Sequence, residues 1–568
     1  MEVPPALLAK VGVTAAKDLQ FGDYQSNAAM MLAKVLKKNP RELAQELIDQ
    51  LEVGHLAELS IAGPGFLNFK LTPAAFAAQV VKIAADERCG VPSAEAPQTY
   101  VIDFSSPNVA KPMHVGHIRS TIIGDALSRI SRFLGHEVIT DNHIGDWGTQ
   151  FGMVIWAWKR ELDEAALQAA PLQELLRLYR LGSSAAKEDE EIKTACRQEL
   201  VKLQGGDAEN TAIWERAVEL SKQGLQQIYT RLDVEFDHWL GESAYNADLP
   251  ATVDALVQAG IARENDGAIC AFSSEQGEPK KDPFKKRDAD TKEWVDFPMI
   301  IRKSDGAYNY ATTDLATLNY RRENSAPDHI LYVVDHRQGE HFQQLFDLAA
   351  RQDYPAQLHH VAFGTICGPD GKPLKTRAGD LPQLQDVLNE AVEAAKAVIA
   401  EKSHLETAQE QSALAENIGL SAVKFTELSH NRMSDYNFDL DKMVSLEGDT
   451  APYLMYSYVR PRSIFRKLDQ QFTLPAAITL TEAKEIHLAR MLSRFGEVLP
   501  VVLDDFRPNV LTTYLLELAR AFHSFFEACP VLKSEGDVQA SRLTLCHATA
   551  QVLHRGLSLL GIQAPEKM

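Results

Sequence analysis

One stretch narrows the possible folds more than any other. It is YVIDFSSPNVAKPMHVGHIRSTIIGDALSRISRFLGHEVITDNHIGDWGTQFG, running from Tyr100 to Gly152. Tyr100 to Phe104 is rich in β-branched and aromatic residues and predicts a short strand. Ser105 to His114 is polar, contains two prolines and cannot continue it. From Val115 onward, Ile118, Ile122, Ala126, Ile130 and Phe133 recur at three- and four-residue steps, which predicts a helix ending near Gly135. Glu137 to Thr140 then predicts a second strand. A strand–helix–strand unit of this length requires parallel strands and a right-handed crossover.

The loop of this unit carries chemistry. His114-Val115-Gly116-His117 falls at the helix start, where free N–H groups and the positive dipole end favour an anion. Gly116 lets a flat base or a phosphate approach the backbone, and the two histidines can donate to phosphate oxygens. The pattern predicts a nucleotide at the carboxyl end of a parallel sheet. Taken in isolation, HxGH reads rather as two surface histidines at a helix start; the surrounding residues change that weighing.

With 568 residues the chain is too long for one core. Its 45% hydrophobic and 24% charged content is that of a soluble globular protein. No run is long enough to span a bilayer, and the N-terminus lacks a secretory layout. Six cysteines without a CxxC pair argue against a disulfide framework and a zinc ribbon. A reduced, cytoplasmic protein is expected. The net charge of −20 argues mildly against nucleic acid as a partner. From Thr450 onward, however, 13 Lys/Arg face 11 Asp/Glu, a surplus of two. Further basic clusters lie at Lys34 to Arg41, at Lys280 to Arg287, and at Arg460, Arg462, Arg466 and Lys467. They suit a partner held at a few sites, although each alone reads equally as solvated surface charge.

In chain order, residues 1–95 read as a small α+β appendage. It has helices at Asn27 to Leu36, Pro40 to Leu51 and Pro73 to Glu87, with β-like sequence at Ile61 to Leu71. Phe21 to Asn27 reads as a contact loop or as a turn with a helix cap. Asn142 to Gln150 can shape a pocket floor. Residues 155–300 are mostly helical by pattern and read as an insertion between the halves of the sheet. Ala268 to Phe272 and Met299 to Ile301 are expected as strands returning to that sheet. His329 to Asp335 predicts a buried strand. The run GPDGKPLKTRAGD, from Gly368 to Asp380, reads as a mobile loop closing over phosphates or as a β-turn with exposed lysines. From Leu381 the pattern is helical to the end and suits a bundle.

Together these motifs resemble a class I aminoacyl-tRNA synthetase, and specifically the arginyl family. HVGH matches the HIGH signature. SSPNVAKPMHVGHIRSTIIGDAL, NHIGDWGTQFG, GPDGKPLKTRAGD, GDYQSNAAM, YSYVRPRSI and the terminal LGIQAPEKM resemble the family's own versions, in the same order. The resemblance implies a Rossmann-type α/β catalytic core with a helical insertion, a small N-terminal α+β domain and a C-terminal all-α bundle. The corresponding boundaries are 1–95 for a tRNA-contacting domain, 96–385 for the catalytic domain with its insertion at about 155–300, and 386–568 for an anticodon-binding domain. In place of KMSKS the chain has LKTRAGD, with Lys375 and Arg377 but no second lysine. Lys111, three residues before His114, is a candidate for the missing charge.

The resemblance further implies ATP-dependent attachment of L-arginine to tRNA(Arg) through an arginyl-adenylate. Such transfer depends on positioning and charge stabilisation, so no covalent enzyme nucleophile is expected. His114, Gly116, His117, Lys372, Lys375 and Thr376 are implied at ATP, with His114, His117, Lys375, Arg377 and Lys111 as the catalytic set. Magnesium travels with ATP, and no structural metal is expected. A buried guanidinium demands carboxylates. By resemblance these are Asp103 and Asp314, with Tyr310 alongside, His114 nearby, and Asn108 and Gln338 at the substrate's backbone end. From the residues alone, Asp103 reads rather as a loop cap and Asp314 as helix-start charge. Tyr456, Tyr458, Arg460 and Arg462 of the bundle, with Tyr24 and Gln25, are implied at tRNA. The tyrosines could equally be core residues of a helix. No threonine-rich editing motif occurs in the insertion. A monomer without membrane attachment is expected. The rival readings are a class I enzyme for cysteine or glutamate, and a synthetase-like tRNA-binding protein without catalysis. The cysteine spacing, the acidic residues and the intact HVGH oppose these in turn.

Overall fold

Strand alternation and helical periodicity build the expected core. The computed structural model describes residues 3–568 apart from 275–277, 369, 376–380, 403–406 and 469–470, and without the side chains of 401 and 402. Packing divides the chain into two units. One comprises residues 93–453, 499–513 and 557–568. Its centre is a four-stranded parallel sheet formed by β1 (Thr99–Asp103), β2 (Glu137–Asp141), β3 (His329–Tyr332) and β4 (Gln357–His360), in the order β4-β3-β1-β2. Helix α1 (Gly116–Phe133) connects β1 to β2, α2 (Tyr310–Asn324) precedes β3, and α3 (Gly339–Ala350) connects β3 to β4. Val101 and Ile330 of the sheet pack with Leu315 and Leu318 of α2 and Leu345 and Leu348 of α3.

Gly124 of α1 is needed for this packing, because a β-carbon there would collide with the ring of Phe104 just beyond β1. The chain runs from β1 to β2 on one side, while β3 lies on the other. The gap between β1 and β3 is therefore the switch point, and its carboxyl end is where an open parallel sheet forms a crevice.

Residues 150–258 are largely helical, from Gln150–Glu161 to Leu249–Gln258. The strands expected to return to the parallel sheet do not do so. Ala262–Asn265, Ala268–Ala271 and Met299–Arg302 form a separate antiparallel sheet, because a short turn lets neighbouring strands satisfy each other's backbone groups directly. A two-stranded ribbon, Lys285–Arg287 with Trp294–Asp296, lies in the connection between its second and third strands. The helices Leu384–Lys402 and Ala408–Ser429 belong to this unit. After them the expected continuous helix breaks. Tyr436–Asn437 instead forms a short parallel pairing with Ile366–Cys367.

The other unit comprises residues 1–92, 454–498 and 514–556. A four-stranded antiparallel sheet containing Tyr24–Ser26 and Phe66–Leu71 packs against the helices Ala28–Leu36 and Pro40–Gln50. Asp23 accepts from Arg490 Nε at 2.6 Å, and Tyr24 donates to Glu497, so the sheet is tied to the helical part. Among the described residues no helix is long and apolar enough to cross a membrane.

Candidate active site

A cavity of about 440 Å³ opens at the switch point. Asp103, Asn108, His114, Gly116, His117, Tyr310, Asp314 and Gln338 all line it. They come from the end of β1, the loop after it, the start of α1, the start of α2 and the turn after β3, which is what a parallel sheet brings together.

The loop after β1 holds an uncommon backbone. Ser105, Ser106 and Ala110 have φ of 70°, 45° and 64°, a region that L-residues occupy at some cost. Side chains from three other segments fix it. Ser120 Oγ accepts from Ser105 N–H at 2.8 Å, Asn142 Oδ1 from Ser106 N–H at 3.1 Å, and Ser221 Oγ from Ala110 N–H at 3.0 Å.

The two histidines form one unit, with ring centroids 4.0 Å apart. Gly116 N–H donates to His114 Nδ1 and His114 N–H donates to His117 Nδ1, each at 3.1 Å. Both Nδ1 atoms are therefore acceptors, and in the neutral rings the proton lies on Nε2 as a donor. Burial, then Lys111, lowers the His114 pKa; burial, then His114, lowers that of His117 to about 3. Gly116 is required by this pair itself, since a β-carbon would lie 2.9 Å from His114 Cε1.

Two pairs of acids flank the histidines. In the first, Arg321 Nη2 donates to Asp103 Oδ2 at 2.6 Å and to Asp141 Oδ2 at 2.8 Å, with all three residues buried. Ser106 donates to the other Asp103 oxygen at 3.0 Å. Asp103 thus reaches the wall with its carboxylate already engaged. Asp103, Asp141 and His143 are close enough to hold a metal ion, but Arg321 already supplies the cation between the carboxylates. In the second pair, Asp314 accepts from His341 Nε2 at 2.6 Å, and Glu242 lines the same cavity. Burial raises the Glu242 pKa; His143 opposes this, and Asp146 and Asp314 add to it. The His341 ring packs against Tyr310, with centroids 4.8 Å apart.

The glycine-rich loop adopts the turn reading over its described part. Lys372 O accepts from Gly368 N–H at 2.8 Å, and Gly371 has φ of 71°. Pro373 and Leu381, on either side of residues 376–380, both line the cavity. Val115 N–H donates to Pro382 O at 2.9 Å, which ties the returning chain to the histidine segment. Lys372 and Lys375 are exposed; Thr376 and Arg377 lie outside the described residues. Lys111 does not line the cavity, and its ammonium lies 4.1 Å from the centroid of the Tyr179 ring. The loop turns its ammonium onto Tyr179 of the helical insertion, from where its charge still acts on His114.

The residues proposed for tRNA divide. Tyr456 is exposed and stacks on His523, with centroids 6.3 Å apart. Arg460 reaches His523 at 2.8 Å and lies over Phe526. Tyr458 is buried against His554, so for it the core reading holds. Arg462 lines a separate cavity of about 250 Å³ with Tyr458, His547 and Arg555. Tyr24 is half-buried with its hydroxyl on Glu497, and Gln25 pairs with Asn68 through the backbone.

Glu242, Arg321 and Asp141 were not singled out from the sequence. Glu242 lies in Gly241-Glu242-Ser243, with no periodicity to mark it. Arg119 was missed as well. It is buried two residues beyond His117, with Nε 3.1 Å from Glu427 Oε2, and Tyr436 donates to the same carboxyl. Burial raises Glu427 to about 7, against Arg119 and Tyr436.

Comparison with known proteins agrees over the whole length. Residues 79–440 match the family model of the class I (R) tRNA synthetase catalytic domain, residues 454–568 that of the DALR anticodon binding domain, and residues 3–71 that of the arginyl tRNA synthetase N terminal domain. The chain is 44% identical to an arginine–tRNA ligase of Synechococcus elongatus, covering 97% of this chain and 94% of that one. It is also 44% identical to an arginine–tRNA ligase of a Picosynechococcus species, covering 98% and 95%. The arginyl-tRNA synthetase structure from Plasmodium falciparum superposes with a TM-score of 0.80 at 29% identity, covering 98% of this chain and 95% of that one.

Proposed function

The chain belongs to the class I arginyl-tRNA synthetases, and from that premise we propose how its cavity attaches arginine to tRNA in translation. The observation that carries the reading is the meeting of two donor histidines with the acids Asp314 and Glu242 in one cavity. ATP lies with its phosphates at His114, Gly116 and His117. The arginine carboxylate attacks the α-phosphorus, the bond to the β-phosphate oxygen breaks, and pyrophosphate leaves. The Nε2–H groups of both histidines stabilise the charge that builds on the phosphoryl oxygens. Lys372, Lys375 and Thr376 bind ATP, and Lys375 and Arg377 hold the departing pyrophosphate. Magnesium bound together with ATP would neutralise phosphate charge. A terminal ribose hydroxyl of the tRNA then attacks the adenylate carbonyl and releases AMP.

Asp314 and Glu242 face the guanidinium, with Tyr310 alongside. Asn108 and Gln338 hold the substrate's α-amino and carboxylate end. Asp103 acts mainly through Arg321, which fixes the floor. A site that pairs every guanidinium N–H rejects lysine and citrulline by roughly 10⁴-fold, so no editing step is required. Residues 1–95 are proposed as the tRNA-contacting part and 454–568 as the anticodon-binding part, with Tyr456 and Arg460 as the leading contacts; the stretch 386–453, expected from the sequence with the latter, packs in the unit of the parallel sheet. A cytoplasmic monomer is proposed.

The test is arginine-dependent ATP–pyrophosphate exchange, with and without tRNA. Exchange only with tRNA supports the substrate and a coupling between anticodon binding and activation. Exchange without tRNA keeps the substrate and removes the coupling. Exchange with another amino acid but not with arginine overturns the pocket reading.

A further inference from the structure

The two groups of residues assigned to ATP come from distant parts of the chain. His114 and His117 stand at the start of α1, while Lys372 and Lys375 follow the short strand Ile366–Cys367. That strand is held on both sides. On one side it runs parallel to Tyr436–Asn437, and Phe438 N–H donates to Cys367 O at 2.8 Å. On the other, Leu374 N–H donates to Ile366 O at 3.0 Å, which brings back the far arm of the glycine-rich turn. Just before the strand, Gly364 N–H donates to Arg432 O at 2.8 Å, and Thr365 N–H donates to Asp435 Oδ1 at 2.6 Å. Residues 432–437 therefore splint the base of the loop that carries the two lysines. The fit is close, since a β-carbon on Gly364 would lie 2.7 Å from Asp435 Oδ1 and 2.9 Å from Met433 O.

Arg119 joins this splint to the histidines. It sits in the first turn of α1, just beyond His117, and is 1% exposed. Its Nη1 donates to Ser434 O at 3.0 Å, across 315 residues of sequence. Its Nε faces one oxygen of Glu427, and the other oxygen accepts from Tyr436. The guanidinium carbon lies 5.4 Å from the centroid of the Tyr436 ring. A buried ion pair adds little stability over apolar packing of equal volume, because desolvation offsets the attraction. What such a pair does fix is direction. A planar guanidinium carries its donors at set angles, so engaging Ser434 and Glu427 together holds α1 and the splint in one relative orientation.

We infer that Arg119, clamped by Glu427 and Tyr436, is a positioning residue for adenylate formation: it sets the spacing between the histidine donors and the lysine loop, so that both meet one triphosphate. Charge builds on the α-phosphoryl oxygens and on the departing pyrophosphate together, so a shift of one group against the other weakens the transition state more than substrate binding. The assignment deepens the proposed function and rests on it, since the aligned groups are those proposed to hold ATP.

The experiment uses the full chain. ATP–pyrophosphate exchange with arginine and tRNA present is measured together with urea midpoints for Arg119→Met/Glu427→Leu, Arg119→Lys and Tyr436→Phe. The double variant removes both buried charges at once, so its midpoint should stay close to wild type. Its kcat should fall about 10²-fold, the cost of a small misalignment, with KM for arginine unchanged because Asp314 and Glu242 are untouched. Arg119→Lys keeps the charge without the fork and should recover part of the lost rate. Tyr436→Phe removes a single hydroxyl and should lower kcat about tenfold. A folded double variant with the kcat of wild type overturns the inference. So does a rise in KM for arginine that matches the fall in kcat, because the whole cavity would then have been disturbed. A lowered midpoint with unchanged kcat also overturns it and leaves Arg119 a purely structural part. Should the double variant not fold, Tyr436→Phe decides by the same readings. Wild type that fails to activate arginine would instead overturn the functional reading, so the two failures are distinguishable.

Discussion

The switch-point cavity is bordered by two acidic pairs that differ in one respect. Asp103 and Asp141 hold a guanidinium of the protein's own, Arg321, and all three side chains are buried. Asp314 and Glu242 line the cavity, with His341 on Asp314, and with His143, Asp146 and the Trp147 backbone against Glu242. Two carboxylates that crowd each other favour the arrival of a cation. In the proposed site, the filled pair shows in the protein's own residues the arrangement that Asp314 and Glu242 would offer to a guanidinium substrate. The difference also separates roles. On the proposed function, breaking the filled pair attacks the fold, whereas breaking the open pair attacks recognition.

The largest expected effect follows from the filled pair. Arg321→Met leaves Asp103 and Asp141 buried without their cation and should lower stability by about 3–5 kcal/mol, read as a shift of the urea midpoint. Stability unchanged from wild type would show that the guanidinium does not compensate those carboxylates, and the contrast would collapse.

Asp314→Asn comes next. It removes a half-buried charge from the proposed guanidinium site, and kcat/KM for arginine should fall about 10²–10³-fold with the urea midpoint close to wild type. A loss of stability without a change in KM for arginine would move Asp314 into the structural class.

Glu242→Gln sharpens the comparison by pH. Because the Glu242 pKa is raised, chiefly by burial, its charge is lost on acidification before that of an ordinary glutamate. Wild-type kcat/KM for arginine should therefore decline as the pH falls through that raised pKa. In the variant it should be about tenfold lower near neutrality, with the remaining acid decline displaced to lower pH. An unchanged profile would remove Glu242 from the substrate site.

The sequence made some of this visible because periodicity and motif spacing are local. The strand–helix–strand unit and the histidine segment could be read from order and spacing, whereas Asp103, Asn108, Tyr310, Asp314 and Gln338 were expected around them only through the family resemblance. Tyr456 and Tyr458 show where such reading stops. They are two residues apart on one helix, and only packing decides that the first is exposed while the second is buried against His554. Lys111 shows the same limit, since three residues of loop suffice to turn its ammonium to Tyr179. The strands expected to rejoin the parallel sheet instead pair among themselves, because strand propensity does not specify a partner.

By itself, then, the sequence determined the family, the parallel core and the donor histidines, whose chemistry lies in residues close together along the chain. Only the tertiary structure decided which acids are open. Asp103 and Arg321 are 218 residues apart in sequence, and no local pattern reports that the first is already neutralised by the second. The same holds for Glu242, brought beside Asp314 from the far side of the insertion. A charge becomes available to a ligand through what the fold leaves unpaired around it, and that is a property of contacts distant in the chain.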